Sequence, residues 1–181
     1  MTIENYTYQQ LEQAYQKVSP HLHYTPILTS SIINEISRAE LFFKCENLQK
    51  AGSFKIRGAM HAMLQLSEQQ LKNGVVTHSS GNFAQALALA AKKLNVPAYI
   101  VMPENAPLVK VDAVKNYGAQ IRFCKNTEAE RHGTMEKWQK ETNATFVHPY
   151  NNRDVILGQS TCAYEITEQI KNLDYIISPV G

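Results

Sequence analysis

The sequence reads as an α/β protein built on an open parallel sheet with helices on both faces. Three features of its 181 residues say so. From about residue 74 to 148, short β-branched or aromatic runs alternate with longer segments of helical period. The helical segments begin and end on cap signals: Asn73–Gly74 before the first strand, Gly118 after the second helix, Thr127 before the third. Four strands separated by three helices require parallel pairing through right-handed crossovers.

Taken in order, "YTYQQLEQAYQKVSPHL" is helical up to Pro20. "YTPILTSSIINEIS" gives a short apolar stretch, a Thr29–Ser30 cap signal and a helix. "ELFFKCENLQ" is expected as a strand. "IRGAMHAMLQLSEQQLKN" places Ile56, Met60, Met63 and Leu64 at helical spacing, in one helix that ends at Asn73–Gly74. Within the alternating block, "VVTHS" is a strand. "NFAQALALAAKKLN" is a helix with Phe83, Leu87, Ala90 and Leu94 on one stripe. "AYIVM" is the second strand, and "LVKVDAVKNYG" a helix with Leu108, Val111, Val114 and Tyr117 on one face. "QIRFC" alternates as a strand, "TEAERHGTMEKWQKET" opens on a Thr127–Glu130 capping box, and "TFVHP" closes the set. Beyond it come a helix over "RDVILGQSTCAYEITEQIKN" and a strand over "DYIISPVG".

Composition narrows the function. The net charge is +2 with no lysine or arginine run, which argues against nucleic acid or an anionic membrane as main partner. "MTIENYTYQQ" lacks the basic start and apolar core of a signal peptide, and no apolar run approaches a membrane span. Cys45, Cys124 and Cys162 show neither a disulfide framework nor metal-ligand spacing, so reduced thiols and a cytoplasmic location are expected, with no metal site.

Two stretches carry chemistry. In "KAGSFKIRG", Lys55 lies between Phe54 and Ile56, with Gly52 and Gly58 nearby to admit a backbone or a flat ligand. It is either a solvated surface charge or a partly desolvated amine able to act as a nucleophile. In "THSSGNFAQA", Ser79, Ser80 and Gly81 sit where a strand ends and a helix begins. That loop is either a plain helix cap or a site whose free N–H groups accept a carboxylate or phosphate. His78 and His148 have no identifiable partner and read as structural. Asp112, Glu128 and Glu130 read as solvated helix faces, and Trp138 as a packing residue. There is no P-loop, GxGxxG or HExxH. A reactive lysine beside an anion-accepting loop suggests a carbonyl cofactor with an acidic substrate, for which pyridoxal phosphate with an amino acid is the obvious pair.

"SFKIRGA" together with "THSSGN" resembles the serine/threonine dehydratase and serine racemase family of fold-type-II pyridoxal-phosphate enzymes. The resemblance runs in order through "YTPILTSS", "LFFKCENLQKAGSFKIRGA", "VVTHSSGNFAQALALAAKKLNVPAYIVMP", "YGAQI", "HPYNNRDVILGQST" and "DYIISPVG". It implies that Lys55 binds pyridoxal 5'-phosphate covalently and moves protons at the substrate α-carbon. It implies that Phe54 packs against the cofactor ring and that Asn82 hydrogen-bonds its phenolic oxygen. Ser79, Ser80, Gly81 and Asn82 match the loop that grips the substrate carboxylate. Ser80 matches the serine facing the lysine in racemase-like members, where many threonine dehydratases resemble this loop but carry alanine. Phe83 departs from the family, which usually has histidine there.

The implied activity is deamination of serine, threonine or related β-hydroxy amino acids to a 2-oxo acid and ammonia, with racemisation as a companion reaction. The implied architecture is of the tryptophan-synthase-β type. Residues 1–73 open a large cofactor domain carrying Lys55, residues 74–150 form the small α/β domain, and residues 151–181 return toward the large domain. Gly181 matches only the first glycine of the family's phosphate cradle, so the second domain is expected to be incomplete and the isolated chain to hold its cofactor poorly. Self-association or a complementing C-terminal segment is expected to cover the unfinished surface. The alternative is a truncated, non-catalytic remnant or interaction module.

Overall fold

A computed structural model describes residues 6–179; the expectation attached to Gly181 lies outside the described residues. Helix α1 (Tyr8–Val18) starts on a reciprocal capping box. Thr7 Oγ1 accepts the Gln10 N–H at 3.2 Å, and Gln10 Oε1 accepts the Thr7 N–H at 2.9 Å. Strand β1 (Ile27–Leu28), helix α2 (Ser31–Ser37, capped by Ser30) and strand β2 (Phe43–Lys44) follow, with β1 and β2 paired antiparallel. The strand expected over "ELFFKCENLQ" is only these two residues long, because the chain turns into a 3-10 turn at Glu46–Leu48.

Helices α3 (Lys55–Leu64) and α4 (Glu68–Asn73) replace the single helix expected there. Ser67 accepts the Gln70 N–H and Gln70 reaches back to the Ser67 N–H, so a second capping box starts a new helix where the first would have run on. The alternating block then forms as expected: β3 (Val75–His78), α5 (Asn82–Leu94), β4 (Ala98–Pro103), α6 (Leu108–Asn116), β5 (Gln120–Cys124), α7 (Glu128–Thr142) and β6 (Thr145–Phe146). Helix α8 (Arg153–Gln169) follows, capped by Asn152. The strand expected from Asp174 is not formed through Pro179, where the backbone is irregular and Tyr175 and Ile177 are exposed.

The main sheet has the order β5-β4-β3-β6 and is parallel throughout. Alternate residues serve opposite faces. Val75, Ile100 and Met102 join the core under α5 and α6, while Val76, Val101 and Cys124 pack with Met135, Trp138 and Ala144 beneath α7. On α6 the inward face is Val111 and Val114, with Tyr117 partly covered; Leu108, placed on that face by its spacing, is exposed. Trp138 is a packing residue, edge-on to Tyr99 at 5.2 Å with the Arg122 guanidinium 4.5 Å from its ring centre. The first core continues from α5 through Ile56, Met60 and Met63 of α3 to Val18 of α1, so α3 is clamped between α5 and α8.

Glycines set the α3–α8 distance. A Cβ on Gly58 would lie 2.6 Å from the Val155 carbonyl, and one on Gly158 would lie 2.5 Å from His61 Cβ and 2.9 Å from Gly58 Cα. Gly58 therefore admits a helix, not the flat ligand its sequence context allowed. Beside this crossing, Arg57 is fully buried. Its Nε and Nη2 donate to the Glu46 carboxylate at 2.7 Å each, and its Nη1 donates to Glu165 Oε2 at 3.0 Å. Burial would lower the guanidinium's proton affinity, but these bonds more than reverse it, and they hold Glu46 below the usual carboxylate range. Glu165 also takes a charged bond from Lys44 and the Thr25 N–H at 3.1 Å.

Gly158→Ala should therefore lose about 1–3 kcal/mol by overpacking. Gly133→Ala, in the middle of α7 with open space around it, should gain about 0.5–1 kcal/mol. Urea unfolding of the two variants checks this opposition of sign. Glu165→Ala, which leaves Arg57 and Lys44 half-paired, should cost about 3–5 kcal/mol. Glu141→Ala, which removes the exposed partner of Arg122, should leave the urea midpoint close to wild type in the same assay.

Candidate active site

Strand order fixes where a ligand can bind. The chain builds β3, β4 and β5 outward in one direction, then returns to place β6 on the other side of β3. Loops at the carboxyl ends of β3 and β6 consequently diverge and leave a crevice between them. A cleft of about 440 Å³ lies there. His78, Ser79 and Ser80 line it from the end of β3, Asn82 and Phe83 from the start of α5, and Pro149 and Tyr150 from the segment after β6. Glu128 and Arg131 enter from the first turn of α7, and Lys55 from the first turn of α3.

The structure thus brings Lys55, Ser79, Ser80 and Asn82 together. Lys55 is half-buried, and burial lowers its pKa below the ordinary lysine value. Its Nζ stands 4.8 Å from the centre of the Phe54 ring, so Phe54 backs the amine without lining the cleft. Gly81 forms the turn between Ser80 and Asn82, and its N–H donates to Ser79 Oγ at 3.3 Å. No side chain caps α5. The loop is therefore not a plain helix cap: the uncapped first turn of α5 opens beside two serine hydroxyls and leaves donors for an oxygen anion.

His78 lines the cleft, and two further histidines stand next to it. His78 stacks on Phe146 at 5.5 Å and stands edge-on to His148 at 5.9 Å and to His132 at 6.1 Å. Contrary to the sequence reading, His78 and His148 do have neighbours, and each other is one of them. His148 Nδ1 accepts the N–H groups of Tyr150 (3.3 Å) and Asn151 (2.9 Å), so that nitrogen carries no proton. Burial first, then repulsion from its neighbours, lowers the pKa of His78; burial and His132 lower that of His148. Among the described residues no group of three or more such side chains is placed to hold a metal ion. The three cysteines are free, and burial pushes the Cys162 thiol up to about 11, far from a reactive thiolate.

Sequence reasoning missed Arg131 and Tyr150 and read Glu128 as part of a solvated face. The available signal was position: all three follow the carboxyl ends of β5 and β6, where ligands of such sheets bind.

His78, His148 and the buried His61 share the sign of their shift, with folded values below the ordinary 6.5. The unfolded chain then binds protons that the folded chain refuses, so stability is full above about pH 6.5 and falls as pH drops toward the folded values. Urea midpoints measured from about pH 7.5 to about pH 5 should decline, and His148→Gln should flatten part of that decline. A slope identical to wild type would remove His148 from the account.

Comparison with known proteins agrees with this geometry. The family described as "Pyridoxal-phosphate dependent enzyme" matches residues 18–181. The chain is 47% identical over 175 residues to serine racemase of Dictyostelium discoideum, covering 97% of this chain and 54% of that protein. It is 46% identical to β-hydroxyaspartate dehydratase of Paracoccus denitrificans, covering 97% of this chain and 56% of that one. The solved structure of maize serine racemase superposes with a TM-score of 0.90 at 43% identity, over 92% of this chain and 50% of the other. The chain spans about half the length of the curated relatives it matches. With Lys55, the serine loop and the crevice of a parallel sheet in place, this chain belongs to the fold-type-II pyridoxal-phosphate-dependent enzyme family, alongside serine racemases and β-hydroxy amino-acid dehydratases.

Proposed function

We propose that the cleft binds pyridoxal 5'-phosphate through Lys55 and a small β-hydroxy amino acid through its carboxylate, for deamination to a 2-oxo acid and ammonia. The observation that carries this reading is the meeting of a half-buried amine with the uncapped, serine-flanked start of α5 in one cleft. The residues present fit the reactive end of the cofactor. An amine of lowered pKa, an aromatic ring 4.8 Å from it and an amide side chain on the cleft wall match an aldehyde, a flat ring and a phenolic oxygen. When bound, pyridoxal phosphate supplies an electron sink that makes the α-hydrogen of an amino acid acidic.

The chain's own residues do the rest. Ser79, Ser80 and the first-turn N–H groups of α5 orient the substrate carboxylate. Arg131 adds a positive charge to the same wall, opposed by Glu128 one helical turn away. Lys55, more readily neutral than an ordinary lysine, takes the proton from the α-carbon; the β-hydroxyl leaves as water once protonated, and water re-enters when ammonia is released. Ser80 supports a second outcome. Its hydroxyl lines the cleft with Lys55 and can return a proton to the α-carbon, which inverts the centre instead of eliminating water.

Titration with pyridoxal phosphate at about pH 8, followed by borohydride reduction and peptide mapping, tests the reading. A visible band with label confined to Lys55, absent in Lys55→Ala, is expected. Label spread over surface lysines, or retained in Lys55→Ala, would show that the cleft does not select the cofactor. That result would favour a non-catalytic module.

A further inference from the structure

Asn82 lines the cleft, but its carboxamide is committed from outside it. Lys110, in the first turn of α6, donates from Nζ to Asn82 Oδ1 at 2.6 Å. Lys110 itself does not line the cleft. An ammonium carries only donors, so an amide that meets it must turn its oxygen toward it. The –NH₂ group of Asn82 is then the end left for a ligand. Without Lys110 the amide could flip and offer an acceptor instead, since its two ends have the same shape and differ only in hydrogen-bonding sense.

From this contact we infer that Lys110 is a positioning residue: it locks the Asn82 carboxamide with its N–H donors free for the cleft, so that this wall selects a ligand oxygen carrying negative charge. The restraint comes from a different helix than the one it serves. Lys110 rides on α6, the crossover between β4 and β5, whereas Asn82 opens α5, the crossover between β3 and β4. The separation of 28 residues makes the contact tertiary, and both helices pack on the same core through Leu87, Val111 and Val114. Only the identity of the oxygen, the phenolate of pyridoxal phosphate, rests on the function proposed above. The locked donor is a property of the ligand-free chain.

The test has two arms that fail separately. In the ligand-free chain, the side-chain amide resonances of Asn82 are followed by ¹⁵N NMR in wild type, Lys110→Met and Lys110→Arg. Lys110 is partly exposed, so both variants should fold, and the backbone spectrum reports that directly. The Asn82 –NH₂ pair should shift in Lys110→Met and return toward wild type in Lys110→Arg, which restores a charged donor. Resonances unmoved in Lys110→Met overturn the inference whatever the cofactor does.

In the second arm, pyridoxal phosphate is titrated by its visible band. Lys110→Met should weaken binding roughly three- to tenfold, the loss expected when one oriented hydrogen bond is released, and should displace the band. Lys110→Arg should recover both. If Asn82→Ala weakens binding but Lys110→Met leaves affinity and band at wild-type values, the positioning role is overturned. If Asn82→Ala also changes nothing, the assignment of the cofactor oxygen fails instead, and the first arm alone decides the lock.

Discussion

A single buried guanidinium constrains most of the first half of this chain. Arg57 has no exposed surface, and an ion in that setting is tolerated only with its full complement of partners. Glu46 supplies two acceptors and Glu165 a third, while Thr25 Oγ1 and the Thr25 N–H are bound to the same two carboxylates. The strand pair, α3 and α8 are thus pinned at one point. The Gly58–Gly158 contact sets how near α3 and α8 approach, and the charge network sets how they are turned about one another. Lys55 stands two residues before Arg57 on the same helix, so its direction is fixed by groups that never touch a ligand.

The opposite wall is governed by the sheet. The Ser79 N–H bonds to the Val101 carbonyl, so the ladder between β3 and β4 runs on into the first residue of the loop. Beyond it the loop is released to form the start of α5. The two walls share one core through α5, which packs on α3 on one side and on the sheet on the other. A change in that core would move amine and loop relative to each other without altering either.

Much of this was legible in the residues. Periodicity and caps marked the alternating block because α5 carries a clear apolar stripe, α7 opens on the Thr127 cap and the strands are short apolar runs, and Lys55 with "SSGN" marked two walls of the cleft. Strand order was not legible: nothing local says that β6 returns beside β3, and that return is what brings Pro149 and Tyr150 to the cleft. The helix from Ile56 was drawn too long because the Ser67–Gln70 box lies inside an unbroken helical pattern. Nothing in the sequence marked Arg57 as buried, since its partners lie up to 108 residues away. "DYIIS" reads as a strand by composition, but a strand needs a paired neighbour, which composition cannot supply.

Chain order gives α8 a temporal meaning. Glu165 follows Arg57 by 108 positions and Thr25 by 140, with the whole β3–β6 sheet encoded between them. During synthesis, which proceeds at about 5–20 residues per second, the sheet leaves the ribosome before α8 does. Through that interval of several seconds Arg57 has Glu46 as a partner but not Glu165, and the far side of α3 lies open where Gly158 will later close on it. Of the two walls, the lysine wall is the one whose supports are completed later in synthesis, because it leans on α8 and the serine loop does not.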